Sequence, residues 1–173
     1  RPAHDEIPWC FETGTQSHEG MAGVTAAVEY FAWIGETMAG DYLDRWPQFS
    51  GQRQYVHAAL DCLFDYEQIL SERLVEGLRQ LPGVTIQGIT DPDAMSRRVA
   101  TVAFTHARKA SDDIARELAA NNIFVWSGHN YAVEAAMLLG IYDTGGAVRI
   151  GPVHYNGIDE IDALLAELGR ILY

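Results

Sequence analysis

The residue of this chain best suited to hold an anion is an arginine set in an apolar strand. Val148-Arg149-Ile150 turns at Gly151-Pro152 and leads through Tyr155-Asn156-Gly157 into an acidic helix start at Asp159-Glu160. Arg149 is the only lysine or arginine between Arg116 and Arg170. A lone guanidinium on such a strand can read a carboxylate or phosphate through a fork of hydrogen bonds. It can equally form a structural ion pair with one of the many acids, and residue types alone leave the two readings even.

Two other stretches carry usable chemistry. Phe11-Glu12-Thr13-Gly14-Thr15 runs into Gln16-Ser17-His18-Glu19-Gly20 at the start of a helical pattern. Hydroxyls and a glycine before a helix make an anion cradle, because free amides and the positive helix end point the same way. Plain capping by Thr15 or Ser17 is the bland alternative, and spacing favours it. The second stretch, Trp126-Ser127-Gly128-His129-Asn130-Tyr131, joins a strand to a helix, a common setting for site residues. His129 or Tyr131 could there act as acid, base or substrate contact, although a lone loop histidine is more often an ordinary hydrogen-bonded residue.

Other clusters carry less. His4-Asp5-Glu6 has no complementary second set of ligands, so no metal site is expected. Asp112-Asp113 and Asp159-Glu160 read as helix-start acids. Cys10 and Cys62 have neither metal-like spacing nor a basic neighbour to lower a thiol pKa. No residue of the chain is assigned as a catalytic group.

The chain of 173 residues is long enough for one domain with a real core and leaves room for an extra arm. Its net charge of −12 would repel nucleic acid or an anionic membrane, so neither is expected as a partner. No apolar run approaches the roughly 18 residues that span a bilayer, and no signal peptide is visible. The two cysteines suggest no disulfide framework, which makes the cytoplasm the expected compartment. The chain opens on Arg-Pro-Ala without methionine, so its first residue is not expected to be a native start.

The elements that would position these residues follow from periodicity. Residues 1–17 read as a loop or extended arm, and 18–39 as a helix with Met21, Val24, Val28, Phe31 and Met38 at helical spacing. Gly20 and Gly23 cost that helix about 1 kcal/mol each, which suggests close approach of a backbone or ligand. Residues 40–51 form a connection. A longer helix over 52–81 places Val56, Leu60, Leu63, Leu70, Leu74 and Leu81 on one face, and Pro82-Gly83 stops it. Strands are expected at 84–86, 99–104, 123–126 and 147–150. The apolar run of 99–104 suggests burial on both faces or a central place in the sheet. Helices are expected at 111–120 with Ser111 as cap, at 132–139, and at 159–172 capped by Asn156 or Gly157. The fold class is therefore α/β, an α+β sandwich with a small, mostly antiparallel or mixed sheet, helices on one face, and two long leading helices.

Phe11-Glu12-Thr13-Gly14-Thr15 with the glycine-containing helix behind it, Ser127-Gly128-His129, and Val148-Arg149 before Tyr155-Asn156 occur in an order that resembles class V aminotransferases. The chain is most similar to their cysteine desulfurase-like branch, which uses pyridoxal phosphate (fold type I). The resemblance runs from about Ile7 to the end and corresponds to the C-terminal part of such an enzyme. It implies residues 1–51 as an arm and helix linking to a large domain outside this chain, and 52–173 as the C-terminal small domain. It also implies that Thr15, beside Gly14, contacts the cofactor phosphate in the partner subunit's site, hence a homodimer. Arg149 would bind the α-carboxylate of an amino-acid substrate, and His129 lies in the substrate loop.

The departures from the family pattern are specific. Tyr131 stands where desulfurases carry the nucleophilic cysteine, and a tyrosine cannot form a persulfide. Trp126 replaces an arginine common before the glycine, and Gly157 replaces the threonine common after Tyr-Asn. Lys109, the only lysine, has no family motif around it and reads as a solvated surface residue. The resemblance therefore puts the cofactor lysine outside this chain, in a parent transferase or lyase whose substrate and reaction the sequence does not choose. Two alternatives stay open: a non-catalytic α/β binding or regulatory domain, and a degenerate partner subunit of a pyridoxal phosphate enzyme.

Overall fold

The computed structural model describes residues 4–12 and 14–173; Thr13 of the Phe11–Thr15 stretch lies outside the described residues. The chain divides into two compact units, Arg1–Cys62 and Leu63–Tyr173. Sequence reading placed a boundary at Gly51, where helix α2 begins; α2 then runs unbroken through the division point.

The first unit holds α1 (His18–Thr37), a 3-10 segment (Gly40–Arg45) and the first part of α2 (Gly51–Arg79). The 3-10 turn lies inside the expected connection. Trp46 anchors it: its indole Nε1 donates to Asp61 Oδ2 at 3.0 Å, and its ring stacks on His57 at 4.3 Å between centroids. The expected close approach of a helix glycine occurs, but at Gly35 rather than Gly20 or Gly23. A Cβ on Gly35 would overlap the Tyr55 carbonyl, whereas Gly23 faces open space and Gly20 meets only the Ser17 side chain.

In the second unit the strands are β1 (Val84–Gln87), β2 (Val102–His106), β3 (Trp126–Gly128) and β4 (Ala147–Ile150). They form one sheet in the order β1-β2-β4-β3, antiparallel throughout. Its helices are α3 (Ser111–Ala120), α4 (Val133–Leu138) and α5 (Ile158–Ile171), together with the later turns of α2. Strand side chains alternate between faces, and Val102, Phe104, Val148 and Ile150 all point to one of them. There they pack with Leu70, Leu74 and Leu78 of α2, Ile114 and Leu118 of α3, and Ile161, Leu164 and Leu168 of α5. The three longer helices thus cover one face, as the helical periodicity implied, while short α4 borders the other.

Four sequence expectations change. Strand β3 begins at Trp126, not Ile123, because continuing its pairing with β4 would set Phe124 and Ile123 opposite Gly151 and Pro152, and proline has no N–H to give a ladder. Strand β2 begins at Val102, because the Arg98 guanidinium donates to the carbonyls of Ile89, Val99 and Thr101 and holds the preceding segment in a bend. Its central place in the sheet stands. Ser111 is the first helical residue rather than the cap; its hydroxyl donates to the Gly146 carbonyl at 3.0 Å, tying α3 to the entry of β4. Leu60 of α2 is 48% exposed, since the buried stripe of that helix runs through Leu70, Leu74 and Leu78.

Candidate functional site: an arginine cleft on the open sheet face

Arg149 is the one exposed residue of β4, set between buried Val148 and Ile150. The strand register fixes its neighbours: Ala103 lies opposite on β2, Trp126 opposite on β3, and Gln87 beyond Ala103 on β1. Directly paired residues project to the same face, so Gln87, Ala103, Arg149 and Trp126 form one row across the open side. Among the described residues of its unit, Arg149 makes no ion pair and no side-chain hydrogen bond. The structural ion pair that residue types allowed is not formed there.

A cleft of about 250 Å³ opens beside this guanidinium. Gln87, Ala103 and Arg149 supply its sheet side; Gly128, His129 and Asn130 supply a loop side. The opposite wall is α4 with its flanks, through Ala132, Ala135, Ala136 and Leu139. Those four stand at i, i+3, i+4 and i+7, one face of a helix.

The loop between β3 and α4 is held in costly geometry. Gly128 has φ +107°, and beyond His129 two non-glycine residues, Asn130 and Tyr131, have φ +52° and +62°. The left-handed region costs an L-residue about 1–2 kcal/mol, somewhat less for asparagine. Local bonds compensate: the Asn130 amide donates to the Gly128 carbonyl at 3.0 Å, and the Tyr131 N–H donates to His129 Nδ1 at 3.2 Å. The second bond makes Nδ1 an acceptor, so neutral His129 carries its proton on Nε2. The imidazole also stacks on Tyr142, with centroids 5.6 Å apart. Tyr131 is 95% exposed at the loop tip, its ring edge-on to His129 with centroids 6.5 Å apart. At the base of the loop, a Cβ on Gly146 would overlap the Gly128 backbone, so β3 and β4 meet through two glycines.

Gly14 and Thr15 belong to the first unit, in a bend before α1, and both are exposed. Gly14 has φ +85°, a conformation that favours glycine. Ser17 occupies the N-cap position of α1 without a side-chain capping bond, and Thr15 has no side-chain bond among the described residues. The side-chain capping that spacing favoured for Thr15 or Ser17 is absent, and of the first-turn amides the His18 N–H donates to the Gln16 carbonyl at 3.0 Å.

Lys109 is not a solvated lysine. Its Nζ lies 2.7 Å from Glu117 Oε2 and 2.6 Å from the Ile171 carbonyl, and its side chain is largely buried. The last carbonyls of α5 attract a cation, so this amine ties α3 to the end of α5.

Sequence reasoning therefore found Arg149 and His129, which the fold brings to one cleft. It missed Gln87, Ala103 and Tyr142, whose types carry no signal of their own. The wall of α4 left a trace in the small residues at helical spacing.

With this geometry in place, relatedness can be read. The sequence model of the aminotransferase class-V family matches residues 54–164. The chain belongs to that family. Class-V relatives include a cysteine desulfurase of Salmonella newport (strain SL254), 29% identical over 166 residues, with 96% of this chain and 33% of that protein matched. An uncharacterized protein of Mycobacterium tuberculosis is 30% identical over 164 residues, covering 95% of this chain and 37% of its own. Among solved structures, the apo cysteine desulfurase from Thermococcus onnurineus NA1 is 28% identical at a TM-score of 0.61, over 70% of this chain and 29% of that one. The cysteine desulfurase CsdA from Escherichia coli superimposes at a TM-score of 0.64 over 98% of this chain and 36% of that one; at 20% identity it speaks to the fold. The chain thus spans about a third of the length of the relatives it matches. Among the described residues, no helix is long and apolar enough to cross a membrane.

Proposed function

We propose that this chain is the substrate-carboxylate part of a pyridoxal-phosphate-dependent class-V enzyme acting on an amino acid. The observation that carries the reading is the Arg149 guanidinium, exposed at a cleft and unpaired within its unit. A planar fork of donors suits a carboxylate, and His129 Nε2–H supplies a second donor at the same cleft. Thr15, the Gly14 backbone and the uncapped start of α1 suit the cofactor phosphate. When bound, pyridoxal phosphate acts as an electron sink for carbanion chemistry at the substrate α-carbon. This chain's residues bind and orient around that centre. Its only lysine is committed to Glu117 and the end of α5, which supports a cofactor-holding lysine outside the chain. The role of Thr15 in a partner subunit's site makes the working form a homodimer, with the cytoplasm as its compartment.

Tyr131 stands at the desulfurase cysteine position of the resemblance, and a phenol offers no sulfur-accepting nucleophile. Elimination, transamination or racemisation fits these residues better than persulfide formation. The test is binding of an amino acid to this chain, followed by amide chemical shifts at the cleft. Arg149→Gln should weaken binding about tenfold or more, the worth of a hydrogen bond to a charged group. Arg149→Lys should recover only part of it, since the ammonium lacks the fork. Equal affinity in wild type and Arg149→Gln would rule the reading out.

A further inference from the structure

The composition of the cleft goes further than the carboxylate anchor, and on the strength of that anchor we propose a substrate class: α-amino acids with one carboxylate and an uncharged, mainly aliphatic side chain. Charge is the first ground. Among the described residues lining the cleft, Arg149 is the only arginine, lysine or carboxylate bearer. A side-chain ammonium would find no acid there and would face the guanidinium. A second carboxylate would have to leave water against methyl groups, which is costly without a partner.

The wall is the second ground. Ala103 floors the cleft beside Arg149, while Ala132, Ala135 and Ala136 line it from α4, and Leu139 and Ile141 close the apolar side. Methyl-sized side chains at consecutive inward positions of a helix leave width where larger ones would fill it. The opening of about 250 Å³ leaves room for a side chain of roughly four to six heavy atoms. The neutral amide of Gln87 adds a hydrogen-bonding group on the sheet side without adding charge. Together these features place a carboxylate at Arg149 and an aliphatic chain along the alanine wall.

The test is a titration of this chain, followed in amide correlation spectra, with glycine, 2-aminobutyrate, norvaline and norleucine, and with glutamate and lysine as charged comparators. Affinity should rise about two- to fourfold per added methylene, the range for partial to full burial of a CH₂. Glutamate and lysine should bind no more tightly than glycine. Ala135→Phe, a change at an exposed α4 position that fills the cleft, should flatten the series, so that norleucine binds no more tightly than glycine. Arg149-dependent binding with no chain-length gradient, or with glutamate ahead of norleucine, overturns the substrate class and leaves the carboxylate reading standing. Carboxylate shifts that survive Arg149→Gln, or no shift with any ligand, overturn both.

Discussion

Helices α1 and α5 both carry apolar residues at helical spacing, more sharply segregated to one face in α5, and they meet opposite fates. In α5, Ile161, Leu164, Leu168 and Ile171 are all buried against the sheet and its neighbouring helices. In α1, Met21, Val24 and Val28 are 52%, 67% and 42% exposed, and only Ile34 and Gly35 are buried. Periodicity says that a helix has an apolar face; it does not say what covers that face. In the second unit the cover is supplied by strands and helices of the same unit. In the first unit the seam of α1 is open, and contiguous exposed apolar surface of this kind marks an interaction surface or an association liability.

The contrast can be broken or sharpened by substitution. The largest effect is expected for Phe104→Ala, which deletes a fully buried ring from the second unit's core. Denaturant unfolding should show a loss of about 3–5 kcal/mol. A loss under about 1 kcal/mol would mean that this core is not the cooperative centre of the unit. Gly146→Ala comes next, because Gly146 sits at φ +74° and the new methyl would strike the Gly128 backbone. Its expected cost is about 2–3 kcal/mol, accompanied by altered shifts in the His129 loop.

A smaller effect belongs to Glu160 at the start of α5. Its carboxylate accepts from the Gly157 N–H at 2.8 Å and from the Asn156 amide at 3.2 Å, and these bonds lower its pKa below the usual glutamate value. A depressed folded pKa contributes stability above the unfolded value, near about 4.3, and loses it as pH falls through the folded one. Glu160→Gln should therefore flatten the acid limb of stability below about pH 4 and leave the slope at neutral pH unchanged. An unchanged acid limb would remove this capping contact from the account of α5. The smallest change in stability is expected for Val28→Glu on the open seam, within about 0.5 kcal/mol. The same variant should reduce binding of an apolar dye or self-association. Destabilisation beyond about 1 kcal/mol would show that the seam of α1 is already covered.

Most of the fold was legible because its helices and inner strands obey one period each. The spans of α3 and β4 match the expectation, and α1, α2 and α5 deviate only at their ends. The misses fall where a contact distant in sequence overrides a local preference. Ser111 has a capping residue's chemistry, but the Gly146 carbonyl is close enough to claim its hydroxyl. The apolar run from Ile123 suits a strand, but Pro152 ends the ladder on the neighbouring strand. Lys109 looks solvated until the end of α5 arrives beside it.

The site divides along the same line. Sequence by itself determined that a solitary arginine sits on an apolar strand and a histidine in a strand-to-helix loop, because residue type and local period are properties of the chain. The tertiary structure alone decided that the arginine is unpaired in its unit, that the two share a cleft, and that alanines from β2, β4 and the α4 segment line it. Those are matters of register and packing: Ala103 reaches Arg149 only through an antiparallel pairing across 46 residues of chain, and no local pattern encodes which methyl faces which guanidinium.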